Sequence, residues 1–435
     1  MSESAKNPRE YFRRWLPWIL ALIPLAYLAA CVIRYSVDVP YKDQWALVPL
    51  VEKSYQGTLA LQDFVASHNE HRPLFPRLVM LFLIRWSGWN IAYELACNIL
   101  LAVALVGMFG RQLGFTFQSL NLRRPVWLIP AISLIVFSVH QSACWLLGYH
   151  IAIFLNLFSV TLGFFLLAQS DLRPRHLAAS LALGWVATLS FSNGVLYWPI
   201  ALLVLWTNVG GEKKRAPWLW AWGLLGAGIA ALYVSGYHRP EYHPSLRFGL
   251  EHPVLLFRYI MSYLASPVLP GSLAHAWLGG AAGIGLLTWL GWRLWLIEKN
   301  PLRILSPYAA LALYGLGTAF LTGLGRAGFN VAQAFSTRYV TFGNLLWITL
   351  LIFLALFMAQ KPGRRGWAIF CAAGIVLLAA SSSFLAREDC RTFNKILLAE
   401  REKLLRMETY PDPLIQERAA ILRKYRLSLF RNLTT

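Results

Sequence analysis

The stretch HNEHRPLFPR, residues 68–77, sets two histidines, a carboxylate, two guanidinium groups and two prolines in ten positions. Residue types of this kind bind anions and move protons. His68, His71 and Arg72 are the expected phosphate ligands, because charge-assisted hydrogen bonds suit phosphate oxygens. At a spacing of i, i+3 the two histidines are predicted to share a helix face. Pro73 and Pro76 fit the first turn of a helix beginning near Leu74, where a missing N–H matters little. Its N-terminus is expected to point at the anion. The histidine spacing is not that of a zinc protease, which needs two histidines at i, i+4 with a glutamate after the first, or His-x-x-Glu-His.

The second chemical element is VDVPYKDQW, residues 37–45. Asp43, flanked by Lys42 and Trp45, is a carboxylate able to take a proton from a hydroxyl nucleophile. Glu70 is the other candidate for that role, with Asp38 and Asp63 behind it. Farther along, Arg326 and Arg338 sit in GRAGFNVAQAFSTRYVTF, residues 325–342, with Tyr339 next to the second arginine. The sequence holds no acid between Thr322 and Gln360, so neither arginine has a partner nearby in the chain. A lipid phosphate would supply one; snorkelling to a membrane interface is the simpler alternative. His150 ends HQSACWLLGYH, residues 140–150, where aromatic rings and hydrogen-bonding groups mix as they do in sugar sites and in interfacial belts. Glu94 is an embedded charge whose expected partner is Arg85 or another basic group.

Whatever positions these residues is a membrane domain. The 435-residue chain is 57% hydrophobic and only 14% charged, with 19 tryptophans. Uncharged apolar runs recur at lengths that cross ~30 Å of hydrocarbon, which excludes a soluble fold. The reading is an all-α polytopic membrane protein with about eleven spans, near 15–33, 91–109, 126–139, 151–168, 177–191, 195–208, 217–234, 273–292, 304–323, 339–359 and 367–386. Leu74–Ile84, interrupted by Arg77 and Arg85, is expected to lie on the outer surface. That choice puts Arg111, Arg123 and Arg124 inside, with the other basic loops. The net charge of +20 then follows the positive-inside pattern and calls for no nucleic acid. Residues 1–386 form the membrane domain, with a first outer loop at 34–90 carrying short surface helices. Residues 387–435 form a charged helical tail on the outer, periplasmic side. The five cysteines show no metal spacing or evident disulfide pair.

One outward helix, a long outer loop with an acid near its start (DQW), a proline-containing motif with a short surface helix (HRPLFPRLVMLFLIRWSGWN) and a full span ending in basic residues follow in order. This organisation, over residues 15–125, resembles the integral-membrane glycosyltransferases of the GT-C fold. The lipid A aminoarabinose transferases and protein O-mannosyltransferases are the nearest in layout. The resemblance implies a polyprenyl-phosphate-linked sugar donor and an acid in the first outer loop. Asp43 occupies that place, but its neighbour is Gln44, so the paired acidic motif of those families is absent; Glu70 stands as a second acid across the loop. HNEHRPL stands where the aminoarabinose transferases carry a Lys-Pro-Pro element.

The expected function is inverting sugar transfer to a glycolipid, polysaccharide or protein on the periplasmic face of a bacterial inner membrane, with the N-terminus cytoplasmic. Asp43 or Glu70 would act as base. His68, His71, Arg72, Arg326, Arg338, Tyr339 and His150 would bind substrate among membrane lipids. No cofactor is expected; the acids are compatible with a divalent metal, but no spacing indicates one. The alternatives are a flippase or transporter of lipid-linked saccharide, which calls for charge at mid-membrane, and an envelope polysaccharide ligase or polymerase.

Overall fold

The computed structural model describes residues 8–209, 216–235, 244–269, 271, 274–406 and 411–431. His238 and His243 of the outer-face motifs lie outside the described residues. Within these, the chain is helical, and its one β-bridge joins His68 to His71.

The first span is α1 (Pro8–Tyr35), and the loop that follows carries α2 (Val48–Gln56), α3 (Leu61–Val65) and α4 (Leu74–Ser87). Then come α5 (Ile91–Ser119), α6 (Leu128–Val136), α7 (Ser142–Leu146), α8 (Ile151–Leu167), α9 (Pro174–Thr188), α10 (Tyr197–Val209) and α11 (Ala216–Val234). The second half holds α12 (Leu246–Glu251), α13 (Pro253–Ala265), α14 (Ala276–Ile297), α15 (Pro301–Arg326), α16 (Val340–Gln360) and α17 (Arg365–Leu385). The tail forms α18 (Arg387–Leu405) and α19 (Pro413–Lys424).

Among the described residues, nine helical segments are long and apolar enough to cross a membrane. The protein is thus an all-α polytopic membrane protein. Neither α9 nor α10 reaches that length, yet both run from one face of the bundle to the other. Leu189, just past α9, accepts from the Phe75 backbone at the first-loop face, whereas Asn208, at the far end of α10, donates to Leu167 and Gln169 at the opposite face. At the centre of the bundle lies α16, buried continuously from Val340 to Met358. A helix apolar on every side belongs in the middle of a bundle.

Four local features depart from the expectations. The helix expected over 126–139 stops at Val136, and His140, Gln141 and Trp145 beyond it are buried, not looped outside. Gln141 Nε2 donates to the carbonyls of Ile135, Val136 and Ser138, capping the break. The span beginning at Ile91 continues ten residues past Phe109. The short apolar helix α13 was not anticipated. Finally, α18 and α19 are not a free surface pair. Asn394 Nδ2 donates to the Tyr35 carbonyl, Tyr425 stacks on Tyr55 at 4.6 Å, and Arg431 reaches Asp38 and the Ser87 carbonyl. The tail therefore straps the first loop from its own side of the bundle.

The surface reading of α4 agrees with its exposure pattern. Leu78, Phe82 and Trp86, at intervals of four, are 44%, 68% and 65% exposed, while Met80 and Ile84 are buried. An apolar stripe left open on a short amphipathic helix suits a membrane interface.

Candidate active site

Two turns of the first loop carry the site. In the first, Lys42 takes a left-handed φ of 51° and opens a 3-10 turn over Lys42–Leu47. Gln44 fixes that turn from both ends. Its side-chain oxygen accepts from the Tyr41 backbone at 3.3 Å, and its amide nitrogen donates to Glu94 at 2.7 Å. Trp89 Nε1 holds the other oxygen of Glu94 at 3.1 Å. Arg85 is therefore not the partner of Glu94; its guanidinium lies over the Tyr55 ring, 4.1 Å from the centroid. A second acid at position 44 would face the Glu94 carboxylate in a buried setting. With Gln44 turned inward, Asp43 is left on the open side of the turn, 43% exposed.

The second turn is His68-Asn69-Glu70-His71. The two histidines do not share a helix face. They exchange backbone hydrogen bonds of 2.8 and 2.9 Å across a tight turn, with Asn69 at a φ of 50°. Asparagine tolerates that region better than most residues. Arg77, buried in α4, holds the incoming strand by donating to the carbonyls of Asp63, Phe64 and Ala66. Nor does α4 offer its N-terminus to an anion: Phe75 N–H is taken by the Leu189 carbonyl and Leu74 N–H by the Arg72 carbonyl.

From these turns the candidate residues divide into two groups. Glu70 pairs with Arg326 at 2.6 Å, so the arginine expected to lack a protein partner has one 256 residues away. Burial pushes the Glu70 pKa up, but neighbouring His71 and Arg326 outweigh it and bring it down to about 2. His71 itself is neutral at ordinary pH: burial takes its pKa down to about 4 against the pull of Glu70. Arg326 is accordingly the charge that keeps Glu70 ionised. His71 stacks on Phe191 at 4.1 Å, and its Nδ1 accepts from the Ser192 N–H at 3.1 Å. That bond leaves the proton on Nε2, facing Glu70 at 3.9 Å. A neutral, stacked imidazole is a structural member, not the cationic phosphate ligand expected. Arg72 leaves the cluster altogether: it donates to the Ser235 carbonyl at the end of α11.

The other group is Asp43, His68, His150 and Arg338. His68 Nε2 is 3.4 Å from Asp43, within ion-pair range but outside good hydrogen-bond geometry. Burial raises the Asp43 pKa; His68 beside it, with the Arg338 charge behind, outweighs that and lowers it overall. His150 donates Nδ1–H to the Ala143 carbonyl at 2.9 Å, so a neutral ring presents an unprotonated Nε2. The Ala143 N–H in turn bonds Thr337 Oγ1 at 3.3 Å, linking this segment to the residue before Arg338. Arg338 reaches only Tyr339, with Nη2 3.3 Å from the hydroxyl and the guanidinium 5.1 Å from the ring centroid. Its Nε is buried without a partner. Tyr339 stacks on Tyr263 at 5.1 Å.

Elimination singles out one acid. Within the first loop, Asp38 pairs with Arg431, Glu52 with Lys424, Asp63 with Lys53 and Glu70 with Arg326. Asp43 has only a histidine. Likewise Arg326 is neutralised, whereas Arg338 has no carboxylate within salt-bridge reach among the described residues. Sequence reading missed three contributors: Tyr149, whose ring lies 5.5 Å from His68 and whose buried hydroxyl has no partner among the described residues, and the buried Tyr259 and Tyr263. Tyr149 was signalled by its place beside His150; the other two lie on the unanticipated α13. Among the described residues, no three His, Cys, Asp or Glu side chains come together in a way that could hold a metal ion. An available carboxylate beside an unneutralised guanidinium can accept a proton and stabilise an anion in one step. No family model, curated protein or solved structure matches this chain.

Proposed function

We propose that the protein is an inverting membrane glycosyltransferase that takes a sugar from a polyprenyl-phosphate donor. The acceptor is a glycolipid, polysaccharide or protein. The observation that supports this reading is the pairing of an acid and a guanidinium that the rest of the protein leaves unneutralised, Asp43 and Arg338.

In the proposed reaction the acceptor hydroxyl gives its proton to Asp43 as its oxygen bonds to the anomeric carbon. The bond from that carbon to the phosphate oxygen breaks, and the electron pair leaves with the lipid phosphate. Arg338, fixed by Tyr339, meets the charge that grows there. Preorganised donors of this type act where charge develops, and losing one costs about 3–4 kcal/mol in well-studied enzymes. His68, beside Asp43, orients it. Glu70, tied to Arg326, is a poor base. The GT-C organisation belongs to this proposal, as does a periplasmic active face on a bacterial inner membrane with the N-terminus cytoplasmic.

A transporter reading calls for charge at mid-depth. The buried Arg77, Glu94, His140 and His150 all belong to segments at or next to the first-loop face, which favours transfer over transport. The test is mass spectrometry of envelope glycolipids and polysaccharides from cells expressing wild type, Asp43→Asn or no protein, at matched membrane levels. A sugar-sized mass increment present with wild type and absent with Asp43→Asn is the expected result. An increment that survives Asp43→Asn removes Asp43 as base. Altered export of a lipid-linked precursor without any increment overturns the reading in favour of transport.

A further inference from the structure

Hydrogen bonds connect the far end of the tail to the turn that carries Asp43. Arg431 gathers three groups. Its Nη1 donates to the Ser87 carbonyl at 3.0 Å, its Nε donates to the Ser428 carbonyl at 3.2 Å, and its Nη2 pairs with Asp38. The other oxygen of Asp38 accepts from the Ile91 N–H at 3.1 Å, at the start of α5. Beside these, the Ser428 N–H donates to the Gly88 carbonyl at 2.9 Å. One guanidinium and one amide of the tail thus clamp the turn between α4 and α5.

The geometry of that turn calls for a clamp. Gly88 and Trp89 both take left-handed backbone angles, with φ of 65° and 59°. Glycine does so freely, but a bulky side chain does not. Such residues persist where their surroundings over-determine them, and they gather at functional sites. A β-carbon at position 88 would lie 3.0 Å from Arg431 Cδ, so the tail packs directly on the glycine. Held in this way, Trp89 is buried, and its Nε1 donates to Glu94 at 3.1 Å. The second oxygen of Glu94 accepts from Gln44 Nε2 at 2.7 Å, and Gln44 Oε1 accepts from the Tyr41 N–H at 3.3 Å. Gly148 backs the same carboxylate so closely that a β-carbon there would overlap it. Glu94 is therefore fixed from two sides, and Gln44 is fixed by Glu94.

We propose that the C-terminal tail positions Asp43. Arg431 sets the 87–89 turn, the turn sets Trp89, Trp89 sets Glu94, and Glu94 sets Gln44, the residue next to Asp43. Arg431, Trp89, Glu94 and Gln44 are positioning residues, acting through one another on the acid. The proposal rests on the reading of Asp43 as base. A displaced base slows the chemical step, and a shift of about 1 Å can lower a rate by about 10²-fold. Arg338 lies outside the relay, so ground-state binding is expected to survive.

The test uses the full-length protein: wild type, Arg431→Gln, Arg431→Lys and Trp89→Phe. Arg391→Gln is the control, an exposed tail arginine paired with Glu388 on its own helix. Two readouts are taken. Hydrogen exchange in detergent follows residues 41–47 and 428–431. Sugar transfer on isolated membranes is measured as turnover and KM against added envelope extract from cells lacking the protein. Arg431→Gln is expected to speed exchange at 41–47 and to lower turnover about 10-fold to 10²-fold at unchanged KM. Arg431→Lys, which keeps the charge facing Asp38, should recover part of both. Trp89→Phe should give the same two effects with exchange at 428–431 unchanged, which separates a relay from a loosened tail. Arg391→Gln should match wild type throughout. Wild-type exchange at 41–47 in Arg431→Gln overturns the proposal, as does faster exchange there with full turnover. A loss confined to KM, or equal effects from Arg391→Gln, also overturns it. A wild type that transfers no sugar overturns the reading of Asp43 as base, and exchange alone then upholds or overturns the link from tail to turn. Should Arg431→Gln not fold, Trp89→Phe decides by the same criteria.

Discussion

The 42–47 turn and the 68–71 turn belong to one loop, and each presents one acid, yet the two acids are in opposite states. Glu70 is closed into a short pair with Arg326 and bounded by a neutral, stacked His71. Asp43 stands on a turn whose neighbouring Gln44 has been drawn inward to Glu94, so among the described residues only the imidazole of His68 comes within ion-pair range of it. The arginines divide the same way: Arg326 neutralised, Arg338 held by a tyrosine and by no acid. Charge that is paired inside the protein braces the loop. Charge left without an opposite partner is available to a substrate.

Each side of that contrast can be broken. The largest effect is expected from Asp43→Asn, which keeps the shape of the turn and removes the base. Sugar transfer measured on isolated membranes should fall by about 10²–10⁴-fold, with unfolding temperature unchanged. Next is Arg338→Gln, expected to lower the turnover rate by about 10²–10³-fold. A rise in KM alone would assign it to binding of the ground state.

The paired side should respond in stability. Glu70→Gln or Arg326→Gln alone leaves a largely buried charge without its partner, a loss of about 3 kcal/mol. The double substitution should recover part of that, and additive losses in the cycle would show that the pair does not brace the loop. Acidification tests the same region in two steps. His71 takes up its proton near pH 6.5 when unfolded and near 4 when folded, so its contribution is full above 6.5 and is lost as pH falls toward 4. Glu70, ordinarily at 4.5 and here about 2, contributes above 4.5 and is lost as pH falls toward 2. Unfolding temperature in detergent should therefore start to drop below pH 6.5, and His71→Asn should make that first step smaller, the buried His140 and His150 supplying the rest. The smallest effect is expected from Arg72→Ala, which breaks one bond to the end of α11, worth about 1 kcal/mol. Loss of transfer on the scale of Arg338→Gln would return Arg72 to the substrate-binding set.

Much of the scaffold was legible. Helices over α1, α8, α11, α15, α16 and α17 follow from apolar runs, because hydrocarbon offers the backbone no partner and forces its hydrogen bonds inside each segment. The helix α4 could be read as shorter than a span because Arg77 and Arg85 interrupt its apolar stretch. What failed was local in pattern but tertiary in cause. The 68–71 segment has helix-compatible spacing, yet its backbone closes into a turn while Arg77 takes the preceding carbonyls and Leu189 takes the N–H of Phe75. Near residue 137 an apolar run breaks where Gln141 can cap the freed carbonyls. Asp43 stands out as a candidate by its place after the first span, but nothing near it in the chain separates it from Glu70.

The sequence alone determined that this chain crosses a membrane many times and gathers its histidines and embedded arginines toward one face. Run length and charge position act residue by residue, so they can be read in one dimension. Which charges cancel was decided only in three dimensions. Glu70 meets Arg326 across 256 residues, and Asp38 meets Arg431 across 393. Electrostatic attraction depends on distance through space, not along the chain. Only the folded protein could show that Glu70 and Arg326 neutralise each other while Asp43 and Arg338 have no such partner among the described residues.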